Sequence, residues 1–163
     1  MLKKCLVVIV SILISLSLVS CKKKEEQPVP QASGPGTGVM MPPGETKVVV
    51  PEAVKGKWDA VKLVIEDKLA KKTSEVTVKL DSEYTIPNSN LKIKIGEFLP
   101  DFKMDGLTIT SSSNEPNNPA VRVAVYENGK EIFKGWLYSK FPTIHPFQHD
   151  KYGITLKEGV KKS

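Results

Sequence analysis

Apolar and polar positions alternate along most of the chain after residue 60. Val61, Leu63 and Ile65 alternate with Lys62 and Val64; Val76, Val78 and Leu80 alternate with Thr77 and Lys79; Leu91, Ile93 and Ile95 alternate with Lys92 and Lys94. A period of two places each apolar set on one face of a strand. The clearest hairpin runs from Val121 to Tyr138, where Asn128 and Gly129 supply the positive backbone dihedrals of a tight two-residue turn. Regular pairing about that turn sets Val125 opposite Ile132, Val123 opposite Lys134, and Val121 opposite Trp136. Leu107 to Thr110 and Ile154 to Leu156 read as shorter strands, and Pro51 to Trp58 is the single place for a short helical turn. The pattern predicts a mainly β fold, a small antiparallel sandwich or a partly open barrel with at most one short helical turn.

The N-terminus follows a different pattern. Lys3 and Lys4 precede an apolar run from Leu6 to Val19, broken by Ser11, Ser15 and Ser17, and Leu18, Val19, Ser20 and Cys21 close it. The run has 14 residues, short of the ~20 that a membrane-spanning helix needs. Lys22 to Lys24 follow at once. This segment resembles the leader of bacterial lipoproteins. The resemblance implies a signal peptide over residues 1–20, with Cys21 acylated as the first mature residue and the lipid bilayer as its partner. Lys22, where an aspartate would favour inner-membrane retention, points to export to the periplasmic face of the outer membrane. Two or more acyl chains give stable attachment, since each buried methylene contributes ~0.8 kcal/mol.

From Lys22 to Thr46 the composition changes to Lys, Glu, Gln, Pro, Gly and Ser, with Pro28, Pro30, Pro35, Pro42 and Pro43 opposing any helix. Residues 21–46 therefore read as the lipidated cysteine and a disordered tether, whose coil would span roughly 25 to 30 Å. Residues 47–160 form one β domain, and 161–163 are a tail.

Charge and cysteine content narrow the chemistry. The formal charge of +6 includes Lys3 and Lys4, so the mature chain carries +4, from 22 basic and 18 acidic residues. Arg122 is the only arginine, and the lysines are dispersed among acids. Nucleic-acid surfaces cluster cations and use arginine, so that class is excluded. Cys5 leaves with the leader and Cys21 is capped, so thiol catalysis, cysteine metal sites and disulfides are excluded as well.

The order of elements after the tether carries a second resemblance. Ala60, Val61 and Lys62 lead to Asp67 and Lys68 in a charged turn; a strand and then Leu91 to Ile95 follow. Asn118, Pro119 and Ala120 enter the hairpin, which ends in Gly135, Trp136, Leu137 and Tyr138 before Pro142, His149 and Tyr152. This order is similar to the bacterial envelope proteins grouped as domain of unknown function 2155, with the Gly-Trp pair, the proline and His-x-x-Tyr as its specific part. It implies an exported β domain and no established reaction. The cysteine pair of many members has no counterpart here.

The stretch from Gly135 to Tyr152 concentrates the candidate binding residues: Trp136, Tyr138, Phe141, His145, Phe147, His149 and Tyr152. Two histidines four apart would share a metal on one helix face, but Pro142 and Pro146 oppose a helix, and a third ligand such as Asp150 or Glu158 would have to come from folding. His149 is expected instead to hydrogen-bond backbone and hold the loop to the sheet. Trp136, opposite Val121, is expected to pack in or beside the core together with Tyr138. Phe141, Phe147 and Tyr152, if exposed, would form a partner surface. Asp101 and Asp105 belong to a turn, and Ser111 to Asn118 is a polar loop able to touch a polymer. No nucleophile elbow, phosphate loop, dinucleotide fingerprint or zinc-protease helix occurs. The expected function is a non-catalytic binding or assembly module without cofactor, facing an envelope protein or polymer. The alternative is a small-ligand or metal carrier using the His145 to Tyr152 loop.

Overall fold

The computed structural model describes residues 46–163; the leader, Cys21 and the tether lie outside them. Ten strands follow in chain order: β1 Lys47–Val48, β2 Trp58–Asp67, β3 Lys72–Lys79, β4 Glu83–Thr85, β5 Leu91–Leu99, β6 Phe102–Asp105, β7 Thr108–Ser111, β8 Ala120–Glu127, β9 Lys130–Tyr138 and β10 Tyr152–Lys161. The described residues contain no helix. Pro51 to Lys57 forms a hydrogen-bonded turn, with the Val54 and Lys55 amides donating to the Pro51 carbonyl, and Trp58 already belongs to β2. β10 extends through Lys161, beyond the domain end expected at residue 160.

Two antiparallel sheets, β10-β2-β3 and β4-β5-β8-β9, build a sandwich without barrel closure. The alternating sets meet in one core: Val61, Leu63 and Ile65 of β2 and Ile154 and Leu156 of β10 pack with Leu91, Ile93 and Ile95 of β5 and Val121, Val123 and Val125 of β8. Burying each such side chain contributes about 1.5–3 kcal/mol.

The β8–β9 turn has the expected residues in the expected conformation, with Asn128 at φ +51° and Gly129 at φ +82°. Its register differs from regular pairing. Tyr126 pairs with Glu131, but Val125 pairs with Phe133, so Ile132 bulges out; Val123 then faces Gly135 and Val121 faces Leu137. A shift of one residue moves every side chain beyond it to the other face. Leu137 therefore enters the core, and Trp136 stands opposite Arg122 on the outer face, not opposite Val121.

A second bulge, after Ile95, re-phases β5 so that Leu99, Ala120 and Tyr138 line up on the outer face of the four-stranded sheet. Leu99 and Ala120 are nonetheless 0% exposed. A third small sheet, β1-β7-β6, accounts for this burial: its Phe102 packs edge-on against Trp136 and Tyr138, with ring centroids 5.3 and 5.1 Å apart. The Asp101–Asn118 bridge fastens it there. The Ser111–Asn118 loop serves the same attachment. Ser113 Oγ and Asn117 Nδ2 donate to Asp101 Oδ2, the Asp101 amide donates to Ser111 Oγ, and Asn114 Oδ1 accepts from Trp58 Nε1 at 2.8 Å. These bonds tie part of the loop to the protein, while Ser112, Glu115 and Asn117 remain exposed.

Candidate functional site

The connection from β9 to β10 is the most distinctive surface feature, and it is pinned at both ends. At its start the Ser139 amide donates to the Pro119 carbonyl at 3.0 Å, and Ser139 Oγ donates to the Lys157 carbonyl at 2.6 Å. At its end Phe147 turns into the sandwich, edge-on to Phe133 with centroids 5.6 Å apart, and stacks against the His149 ring at 5.8 Å. His149 Nδ1 accepts from the Lys151 and Tyr152 amides at 3.2 and 3.1 Å. An accepting Nδ1 carries no proton, so the ring's hydrogen sits on Nε2, 3.4 Å from Glu127 Oε1. Lys68 adds a further tie, donating from Nζ to the His149 carbonyl at 2.7 Å.

Between these anchors, residues 141–146 are all exposed. The Ile144 amide donates to the Phe141 carbonyl at 3.0 Å and closes a turn, and His145 at φ +47° reverses the chain toward Phe147. Phe141 and Ile144 are 51% and 48% exposed. An aromatic and a β-branched residue are thus presented outward on a loop whose two ends are fixed to the domain.

The sequence-predicted residues separate into three groups. Phe147 and Tyr152, each 5% exposed, are core and not surface. Trp136 and Tyr138 are half-buried on the outer sheet face under Phe102, and burial pushes the Tyr138 phenol above its ordinary pKa. Phe141 and His145 are exposed on the loop, while His149 is half-buried at its foot. His149 has both ring nitrogens engaged, and among the described residues no three His, Cys, Asp or Glu side chains gather as metal ligands. Cys21 lies outside the described residues.

Sequence reasoning missed Ile144 and Phe102. Ile144 was legible, being an apolar residue between two prolines in a loop; Phe102 was not, because only the third sheet brings it to Trp136. Also unforeseen is a shallow groove of about 240 Å³ on the outer sheet face, lined by Lys94, Arg122 and Lys134 and by Asp81, Glu97 and Glu131. Within it Arg122 Nη2 donates to Glu97 Oε1 at 2.7 Å. Nε lies 2.6 Å from Oε2 but is poorly aligned, which leaves that oxygen buried without a good donor. Its charges balance, and it singles out no ligand class.

No curated protein and no solved structure matches the chain. The family model described as "Uncharacterized protein conserved in bacteria (DUF2155)" matches residues 61–158, from β2 of one sandwich sheet through the pinned loop to β10; this is more than half of the chain, which belongs to that family.

Proposed function

We propose that this protein is an exported lipoprotein, anchored through acylated Cys21 at the periplasmic face of the outer membrane, whose β domain is a non-catalytic binding or assembly module of the bacterial envelope. The leader pattern supports the anchor and the family supports a bacterial setting. The observation that carries the module reading is the loop over 141–146, exposed throughout and pinned at both ends, with Phe141 and Ile144 outward. An apolar pair turned outward on a loop fixed at both ends suits a contact surface, because a loop with anchored ends loses less entropy on binding than a free one. The carrier alternative has less support, since His145 points to solvent and His149 is occupied by two amides and Glu127.

The test has two readouts on the protein in intact cells. Intact mass should show acyl chains that Cys21→Ala abolishes. A photo-crosslinking residue at Thr143 should give an adduct, with lipid or protein, that Phe141→Asp with Ile144→Asp removes. An unacylated Cys21 would overturn the anchor; a Thr143 probe that forms no adduct would overturn the module.

A further inference from the structure

We propose that the Lys140–Pro146 loop seats on an anionic phospholipid surface, so that the domain lies against the bilayer that anchors it. This inference rests on the lipoprotein reading and names the partner of the same loop.

Three features of the loop fit a bilayer interface. The first is that part of its backbone desolvation cost is already removed. Pro142 and Pro146 have no N–H to strip of water, and the Ile144 amide is already satisfied by the Phe141 carbonyl. Each backbone group that is absent or already bonded lowers the cost of entering a lipid interface, where partners are fewer than in water. The second is charge. No Asp or Glu occurs from residue 132 to residue 149, while Lys134 and Lys140 lie within that stretch and Lys140 directly precedes Phe141. At the foot of the loop Lys68 donates to the His149 carbonyl and Lys151 lies 3.9 Å from Asp67, while Glu127 beside His149 and the exposed Asp150 add two further carboxylates. A lysine at the entrance to an apolar tip that itself carries no carboxylate matches anionic headgroups above an acyl boundary, contributing through the surface potential. The third is reach: the Pro- and Gly-rich composition of Lys22–Thr46, read as a coil, would span roughly 25 to 30 Å and keep the domain near the membrane at high effective concentration, so a weak contact would suffice.

The test uses the acylated protein reconstituted into vesicles of phosphatidylethanolamine and phosphatidylglycerol, with a nitroxide on Thr143→Cys, which is the only free thiol once Cys21 is acylated. The expected result is a label shielded from a water-soluble relaxant and open to oxygen. A label on Ser74→Cys, exposed on β3, should remain aqueous. Phe141→Asp with Ile144→Asp should return the Thr143 label to water, with relaxant accessibility rising about tenfold, while the thermal melt is unchanged. Vesicles of phosphatidylcholine alone should leave the label aqueous. An acylated protein whose Thr143 label is aqueous on anionic vesicles overturns the seating and leaves the anchor standing, and shielding that persists on neutral vesicles overturns the anionic selectivity. Mass measurement on the same sample separates both results from a failure of the lipoprotein reading, in which no acyl chains are found.

Discussion

Gly159 lies directly beneath the ring of Phe98: a Cβ at position 159 would come within 2.3 Å of Phe98 Cζ and 2.8 Å of Trp58 Cε3. Phe98 and Trp58 are themselves packed together, with ring centroids 4.8 Å apart, and both are buried. The absence of a side chain on β10 is what lets the two sheets close at this end. Gly159→Ala should therefore destabilise the domain by about 1–3 kcal/mol, as overpacking of a filled core does. Urea unfolding will check this. Adding Phe98→Leu should recover part of the loss, and an alanine variant as stable as the native protein would refute the close-packing account.

His149 is expected to matter for stability chiefly through Nδ1, beside its stacking on Phe147 and its contact with Glu127. His149→Ala leaves the Lys151 and Tyr152 amides without their acceptor, a loss of about 1–3 kcal/mol. His149→Asn, whose Oδ1 can take the place of Nδ1, should retain much of it. Nitrogen NMR of the native ring should show the Nε2–H tautomer, and hydrogen exchange at the two amides should accelerate in the alanine form. The opposite tautomer would contradict the hydrogen-bond assignment.

The bulge at Ile132 makes a prediction about chain length. Ile132 is exposed and has no partner across the hairpin, while Glu131 and Phe133 pair with successive residues of β8. Deleting Ile132 should give a regular hairpin with Leu137 still inside and Trp136 still outside, at a cost below about 2 kcal/mol. Inserting an alanine after Phe133 should reverse the faces of Gly135 to Tyr138 and prevent folding. Near-ultraviolet circular dichroism, which reads the packed aromatic groups, distinguishes the two.

Tyr138 couples stability to alkaline pH. Burial raises the phenol above its ordinary value of 10.0, so the folded state holds the proton more tightly than the unfolded chain. The stabilisation is fully present below the unfolded pKa and is lost as pH rises through the folded one. Unfolding midpoints measured from about pH 9 to pH 11.5 should fall less steeply for Tyr138→Phe than for the native protein. Parallel curves would show that the ring is more hydrated than its packing under Phe102 implies.

Local pattern alone determined the mainly β class, the faces of β2, β3 and β5, and the Asn128–Gly129 turn, because period-two burial and positive-φ turn chemistry are properties of a few adjacent residues. The same local information marked the stretch after Gly135 as distinctive and made Ile144 findable between its prolines. Membership of the family was legible too, in the order of the Gly-Trp pair, the proline and His-x-x-Tyr. Tertiary structure decided which side of the sheet each aromatic occupies. One unpaired residue, Ile132, reverses the phase of β9 and sends Trp136 outward, and nothing in its immediate neighbours announces a bulge. The third sheet was equally hidden, since Phe102 and Ile109 acquire a face only once Leu99, Ala120 and Tyr138 are aligned beneath them by a second bulge. Phe141 and Phe147 are six residues apart and identical in chemistry, yet one is exposed and the other is core. The difference arises from where Ser139 and His149 fasten the loop, through contacts to Pro119, Lys157, Glu127 and Lys68 that are distant in sequence and set only when the sheets pack.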